Sequence, residues 1–415
     1  MGGPVFRDRV WFFTGYVPRI RKDARTAVFQ SNGQRGTFRD DTVDHNITYN
    51  VSAQITRTLR ARFSASNERF KDGTSSRPAL ESDGTSTSNP SLFPSPLASN
   101  QFDDSYVGVL DYTPSGRLFI TATTGYWTYG TRGRGAGTAV RHTFTGSNFQ
   151  FSDIPANLKN VNNYADNVAN SQTLFDDYGR WAANTDATYY RSAWGQHAFK
   201  MGLQFERLSN EVLDGAVATS ITLNWDASRA TLDGRRVRGT YGYYTIAQNR
   251  REGTIAYNNV GLYFQDSWTI KNRLTLNLGI RSDEQHIPSY NPDNPGINFG
   301  FGQMISPRVG FAWDVTGDSR WKVYGGWGNY FDIAKLELPR GSFGAEKQIS
   351  YYHTLDTFNW LAIQCGYPPV PGPNCPGTYI EQVDFRHPAN ARDNPLVDPN
   401  LKACAGSGIH DRSRP

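Results

Sequence analysis

The sequence contains no run approaching the roughly 18 to 20 apolar residues that a membrane-spanning helix requires, and its mean hydropathy is −0.59. An ordinary α-helical membrane protein is thereby excluded. A β-barrel is not, because a barrel strand gives only every second residue to lipid and so averages polar. Methionine and cysteine are scarce, three of each in 415 residues, and the seven histidines are scattered. There is no C-x-x-C and no His/Cys cluster at zinc spacing, which sets thiolate metal binding aside. Basic residues exceed acidic ones only slightly, 43 Lys and Arg against 38 Asp and Glu, and they form no concentrated face, so nucleic acid is not an expected partner. G-x-S-x-G, P-loop, H-E-x-x-H and EF-hand patterns are missing, and the glycines of Gly133-Arg134-Gly135-Ala136-Gly137 read as loop. The sequence therefore assigns no catalytic, cofactor-binding or metal residue, and no enzyme activity is expected.

What is abundant is glycine (40) and aromatics (22 Tyr, 24 Phe, 10 Trp), a composition of turns and strands. Period-two alternation appears over Val43 to Ile55, with Val43, Ile47, Tyr49, Val51 and Ala53 on one face. After a turn near Thr56 it resumes with Leu59, Ala61, Phe63 and Ala65 against Arg60, Arg62, Ser64 and Ser66. Four more hairpins follow, turning at Pro114-Ser115-Gly116, at Ala193 to Gln196, at Lys271-Asn272 and at Thr316-Gly317-Asp318. With Val10 to Val17 this predicts about eleven strands. Several hold their pattern for about ten residues, the span of a tilted strand across a bilayer, where a soluble sandwich strand has about five or six.

Short turns alternate with long connections at 68–101, 129–178, 209–257, 285–305 and from 332 onward, the layout of short periplasmic turns and longer extracellular loops. The first, GTSSRPALESDGTSTSNPSLFPSPLASN, is low in complexity and is expected to be mobile. Trp268, Trp313 and Trp321 beside the short turns, and Trp127, Trp181 and Tyr330 near the opposite strand ends, suggest two interfacial girdles. His45 and Arg207 share the lipid parity but lie near strand ends, where the cost of a charge falls to about 0–1 kcal/mol. Arg60, Arg62, Arg281 and Arg308 have lumen parity and could meet an anionic ligand or a plug, or simply one another and water. Tyr241, Tyr243 and Tyr244 are loop aromatics that could stack on sugars. Cys365 and Cys375, in a Pro/Gly-rich stretch, could staple a surface loop, leaving Cys404 over.

The segments GGPVFRDRVWFFTGYVPRIR, NNVGLYFQDSWTIKNRLTLNLGIR, SPRVGFAWDVTGDSRWKVYGGWGNYFD and FRHPANARDNPLVDPNLK together resemble the Oar-like group of TonB-dependent receptors. The resemblance runs from Gly2 to about Lys402. It implies an antiparallel transmembrane barrel of about 22 strands whose lumen is plugged, of which this chain supplies about 11–12. It also implies a preceding plug domain, a TonB-contacting segment and a signal peptide, none of which is recognisable here, so the sequence is expected to be a piece of a longer protein. Residues 1–402 are read as barrel. Residues 403–415, which show no strand alternation, are read as a non-barrel tail, as from a frameshift. The implied function is TonB-driven transport of a bulky nutrient across the outer membrane, with membrane lipid and, through a plug, the TonB complex as partners. A passive porin-like channel, a surface adhesin and a non-functional truncated product are the alternatives.

Overall fold

The computed structural model describes residues 1–71, 77–93, 95, 97–288, 296–333, 335–336, 346–347, 349–385, 403 and 405–411. Thirteen strands follow one another in a continuous antiparallel sheet. They are β1 Gly2–Phe6, β2 Val10–Phe29, β3 Arg35–Gln54, β4 Leu59–Lys71, β5 Ala98–Ser115 and β6 Leu118–Arg134. Then come β7 Ser171–Ser192, β8 Gln196–Ala216, β9 Arg250–Ile270, β10 Leu274–Ile287, β11 Ile305–Asp314, β12 Lys322–Phe331 and β13 Ala405–Asp411. The eleven strands read from alternation are β2 to β12, and all five hairpins pair as expected. At Lys271-Asn272 both residues have positive φ, 50° and 54°, as a tight turn matching the strand twist demands. Residues 405–411 run antiparallel along β12, from Ala405 opposite Phe331 to Asp411 opposite Gly325. Residues 412–415 lie outside the described residues.

Cross-strand partners share a face, so the register sorts the sheet into rows. One row runs Val51, Phe63, Gly108, Thr124, Ala183, Phe205, Val260 across β3 to β9. Its outward side carries exposed apolar residues such as Phe63, Met201, Leu203, Leu262, Phe264 and Ile280. On β8 this band lies between His197 and Arg207, about 25 Å for a tilted strand and thus one bilayer core. Above it a row of Tyr49, Ala65, Tyr106, Tyr126, Trp181 and Arg207 forms an aromatic belt. Beyond the belt the same face turns polar, with Asn67, Asp104, Thr128 and Ser209 in the next row.

The girdle expectation is therefore half right. Trp181 is in the upper belt and Trp268 and Trp313 are outward near the turns, but Trp127 and Tyr330 point inward. Trp127 donates to Asp103 at 2.8 Å, while the Tyr330 ring carries Arg308. His45 and Arg207 are outward as read, satisfied by Tyr16 Oη at 2.8 Å and Asn258 Oδ1 at 3.1 Å.

Strands of 20 to 22 residues run well past the belt, so the long connections are shorter than alternation implied. They are also folded. The stretch expected to be mobile is held down over its described part, Thr85–Ser86 pairing with the end of β2 and Phe93 packing on Phe29 and Phe38. Three later connections build a separate five-stranded sheet, in the order Tyr379–Asp384, Ile349–Leu355, Gly242–Ala247, Ser220–Trp225, Arg141–Thr145. One face is a buried core of Phe144, Ile221, Leu223, Trp225, Tyr244, Ile246 and Leu355, closed by Trp360 and Ile363.

Candidate functional site

Two places gather chemistry: a recess in the inner wall, and the five-stranded sheet built by the long connections. The inner face of β7 to β12 is polar because nothing there meets lipid, and glycine at several positions lets long side chains lie flat on it. A Cβ at Gly202 would stand 2.5 Å from the Tyr263 ring, and one at Gly261 2.5 Å from the Arg281 guanidinium. Tyr263 accordingly crosses β8 and donates to Asp186, with Lys200 3.9 Å from that carboxylate and over the ring. Arg281 folds back onto Asp283, its Nη2 2.6 Å from Oδ1. Arg308 lies 4.6 Å from the Tyr330 ring centre, with no carboxylate at ion-pair distance among the described residues. Asp186, Lys200, Tyr263, Arg281, Arg308 and Tyr330 line a recess of about 690 Å³ together with amides such as Gln204 and Asn277. Elsewhere on the wall Arg180 pairs with Glu206, to which Asn259 also donates.

Of the four lumen-parity arginines, Arg281 and Arg308 border the recess. Arg62 belongs to another part of the wall, where it pairs with Asp111 at 3.1 Å, and Arg60 shares that row of the sheet with Asp111. The recess is lined by hydrogen-bond donors, three cations, two carboxylates and four aromatic residues, suited to gripping a polar surface. Among the described residues no group of His, Cys, Asp and Glu could hold a metal ion.

The five-stranded sheet was not foreseen, and it relocates several residues. Tyr241 and Tyr244 are buried, at 7% and 0% exposure, and cannot stack on a ligand; Tyr243 lies on the opposite face, half-buried. Cys365 and Cys375 form a disulfide inside the core, 3.8 Å from Tyr244 Oη, while Cys404 lies outside the described residues. Burial pushes the Tyr244 phenol far up and lowers the His353 pKa, the Gly377 backbone offsetting part of the latter. His142, fully buried, ties two loops together through Asp166 Oδ2 at 2.7 Å and Ile363 O at 2.6 Å, against the Trp360 ring. The available signal was brief alternation, ITLNW and YYTIA, in segments far apart in sequence.

An open-ended antiparallel wall, apolar outside over one bilayer thickness and polar inside, capped at the long-loop end, defines an outer-membrane barrel protein. Residues 17–395 match the family described as "Outer membrane beta barrel domain", and the chain belongs to that family. It resides in the outer membrane. Over 187 residues, 42% of this chain, it is 34% identical to the TonB-dependent transporter Oar of Myxococcus xanthus; the aligned part is 17% of that protein's length. The outer membrane transporter YddB from Escherichia coli shares the fold with a TM-score of 0.55 over 86% of this chain and 44% of that one, at 12% identity. The chain thus spans well under two thirds of both relatives. The segment FRHPANARDNPLVDPNLK, apart from Phe385, falls outside the described residues.

Proposed function

We propose that this chain is the barrel part of a TonB-dependent transporter that takes up a bulky nutrient, without catalysing any reaction on it. The observation that carries this reading is the inner wall, whose flattened, hydrogen-bonding recess with the carboxylate-free Arg308 suits a protein surface or large polar ligand better than water alone. The likeness to Oar supports it. On this reading a plug docks against the recess, and the inner-membrane TonB complex pulls on that plug. The folded extracellular sheet argues against an unobstructed porin, since three ordered connections converge at the outer end.

The test is uptake by cells expressing the full gene, compared with and without an active TonB complex. Uptake that collapses when TonB is deleted supports the transporter. Solute flux unaffected by TonB assigns the wall to a passive channel instead.

A further inference from the structure

Glycine weakens a strand, and inside one it marks a place where something comes close to the backbone. At some positions of the inner wall that something is a resident side chain: the Tyr263 ring covers Gly202, and the Arg281 guanidinium covers Gly261. At Gly279, Gly310 and Gly326 it is not. There a Cβ would stand no nearer than 3.3 Å to Gln265 Cβ, 3.6 Å to Gly325 O and 3.3 Å to Val309 O respectively, and none of the three has positive φ. Space and backbone conformation thus both admit a side chain, after a shift of at most a few tenths of an ångström. Register sets the three side by side on adjacent strands, Gly310 opposite both Gly326 and Asn277, and Gly279 opposite Arg308. The result is a bare patch of backbone in the recess, about 10 Å across. Exposed polar side chains stand around it. The amides of Gln265 and Asn277 hydrogen-bond to nothing among the described residues, and the Arg308 guanidinium lies on the Tyr330 ring.

We propose that this patch seats an extended segment of the same protein, from outside this chain, whose main chain lies on Gly279, Gly310 and Gly326 and whose Asp or Glu side chain ion-pairs with Arg308. A wall without Cβ atoms lets a backbone come close, as it would not a row of larger side chains. That backbone carries one donor and one acceptor per residue, and the amides of Gln265 and Asn277 can both accept from it and donate to it. A guanidinium held on a ring is set to take a carboxylate through two N–H donors. The chain spans 17% of Oar and 44% of YddB in the aligned parts, so proteins of this kind have ample further polypeptide to supply the segment. The inference rests on the transporter reading for a plug in the lumen, and adds where on the wall that plug sits, in what conformation and by which charge.

The experiment is photo-cross-linking in outer membranes of cells expressing the full gene with Asn277→p-benzoylphenylalanine, the cross-linked peptide being identified by mass spectrometry. A peptide of the same protein from outside this chain, containing an Asp or Glu, is expected. Cross-links only to lipid, to this chain or to another protein, or none at all, overturn the proposal. Arg308→Gln removes one charge-assisted contact and raises the undocked fraction about tenfold, read as a similar rise in entry of vancomycin, which an occupied lumen keeps out. Gly310→Val, which favours a strand while filling the patch, acts in the same direction. Both variants keep the heat-modifiable gel migration of a folded barrel. Vancomycin entry equal to the parent's in both overturns the proposal, and should either fail to fold, the cross-link in the otherwise unaltered wall still decides. Uptake independent of TonB with the cross-link intact removes the transporter reading and leaves the seat; TonB-dependent uptake without the cross-link does the reverse.

Discussion

Leu203 and Ser209 face outward on the same strand, yet they lie on opposite sides of the aromatic belt that passes through Trp181 and Arg207. The bilayer therefore sees the first and not the second. Leu203→Arg is expected to cost about 2–4 kcal/mol and Ser209→Arg about 0–1 kcal/mol in denaturant titrations of the barrel in lipid vesicles. Equal costs would mean that the belt is misplaced. In the five-stranded sheet, His353 is 3% exposed, between Tyr244 and Tyr379. Its pKa is lowered by burial from 6.5, so the unfolded state binds the proton more readily. The stabilising effect of its neutral form is complete above pH 6.5 and is lost as the pH falls below that value. Proteolysis of the cap should quicken on acidification over that range, and His353→Phe should flatten the dependence; an unchanged profile in the variant would assign it elsewhere.

At the scale of elements, the disulfide serves the cap and not the wall. Cys365 and Cys375 are 10 residues apart, and opening so short a loop costs about 3 kcal/mol in the chain-entropy account. Cys365→Ser should expose the connections at 135–170, 217–249 and 346–385 to protease together, since all three contribute to one core. Strands β2 to β12 should remain protected. Cleavage confined to 346–385 would show that the three do not fold as a unit. The elements were unequally legible for a physical reason. Lipid imposes apolar residues at every second position only within the belt, so alternation marked the lower half of each strand. Asn67 to Lys71 and Ser209 to Ala216 extend their strands where the outward face meets water, and there the pattern dissolves. The cap strands bury one face against partners over a hundred residues away, as Tyr244 does against His353, so no local window announces them. The recess was partly visible, since parity picked out Arg281 and Arg308; the glycines that shape it signal nothing until the register sets Gly202 opposite Tyr263.

For the molecule as a whole, orientation is the claim on which the rest depends: short turns to the periplasm, cap to the outside. Trp194, 94% exposed in a short turn, and Leu232, 63% exposed in the cap, report on the two sides. Each would be replaced by cysteine in a Cys404→Ser background and exposed, in intact cells, to a maleimide that cannot cross the outer membrane. Labelling of Leu232→Cys with protection of Trp194→Cys is the predicted result. Labelling of Trp194→Cys with protection of Leu232→Cys would invert the wall and contradict the account.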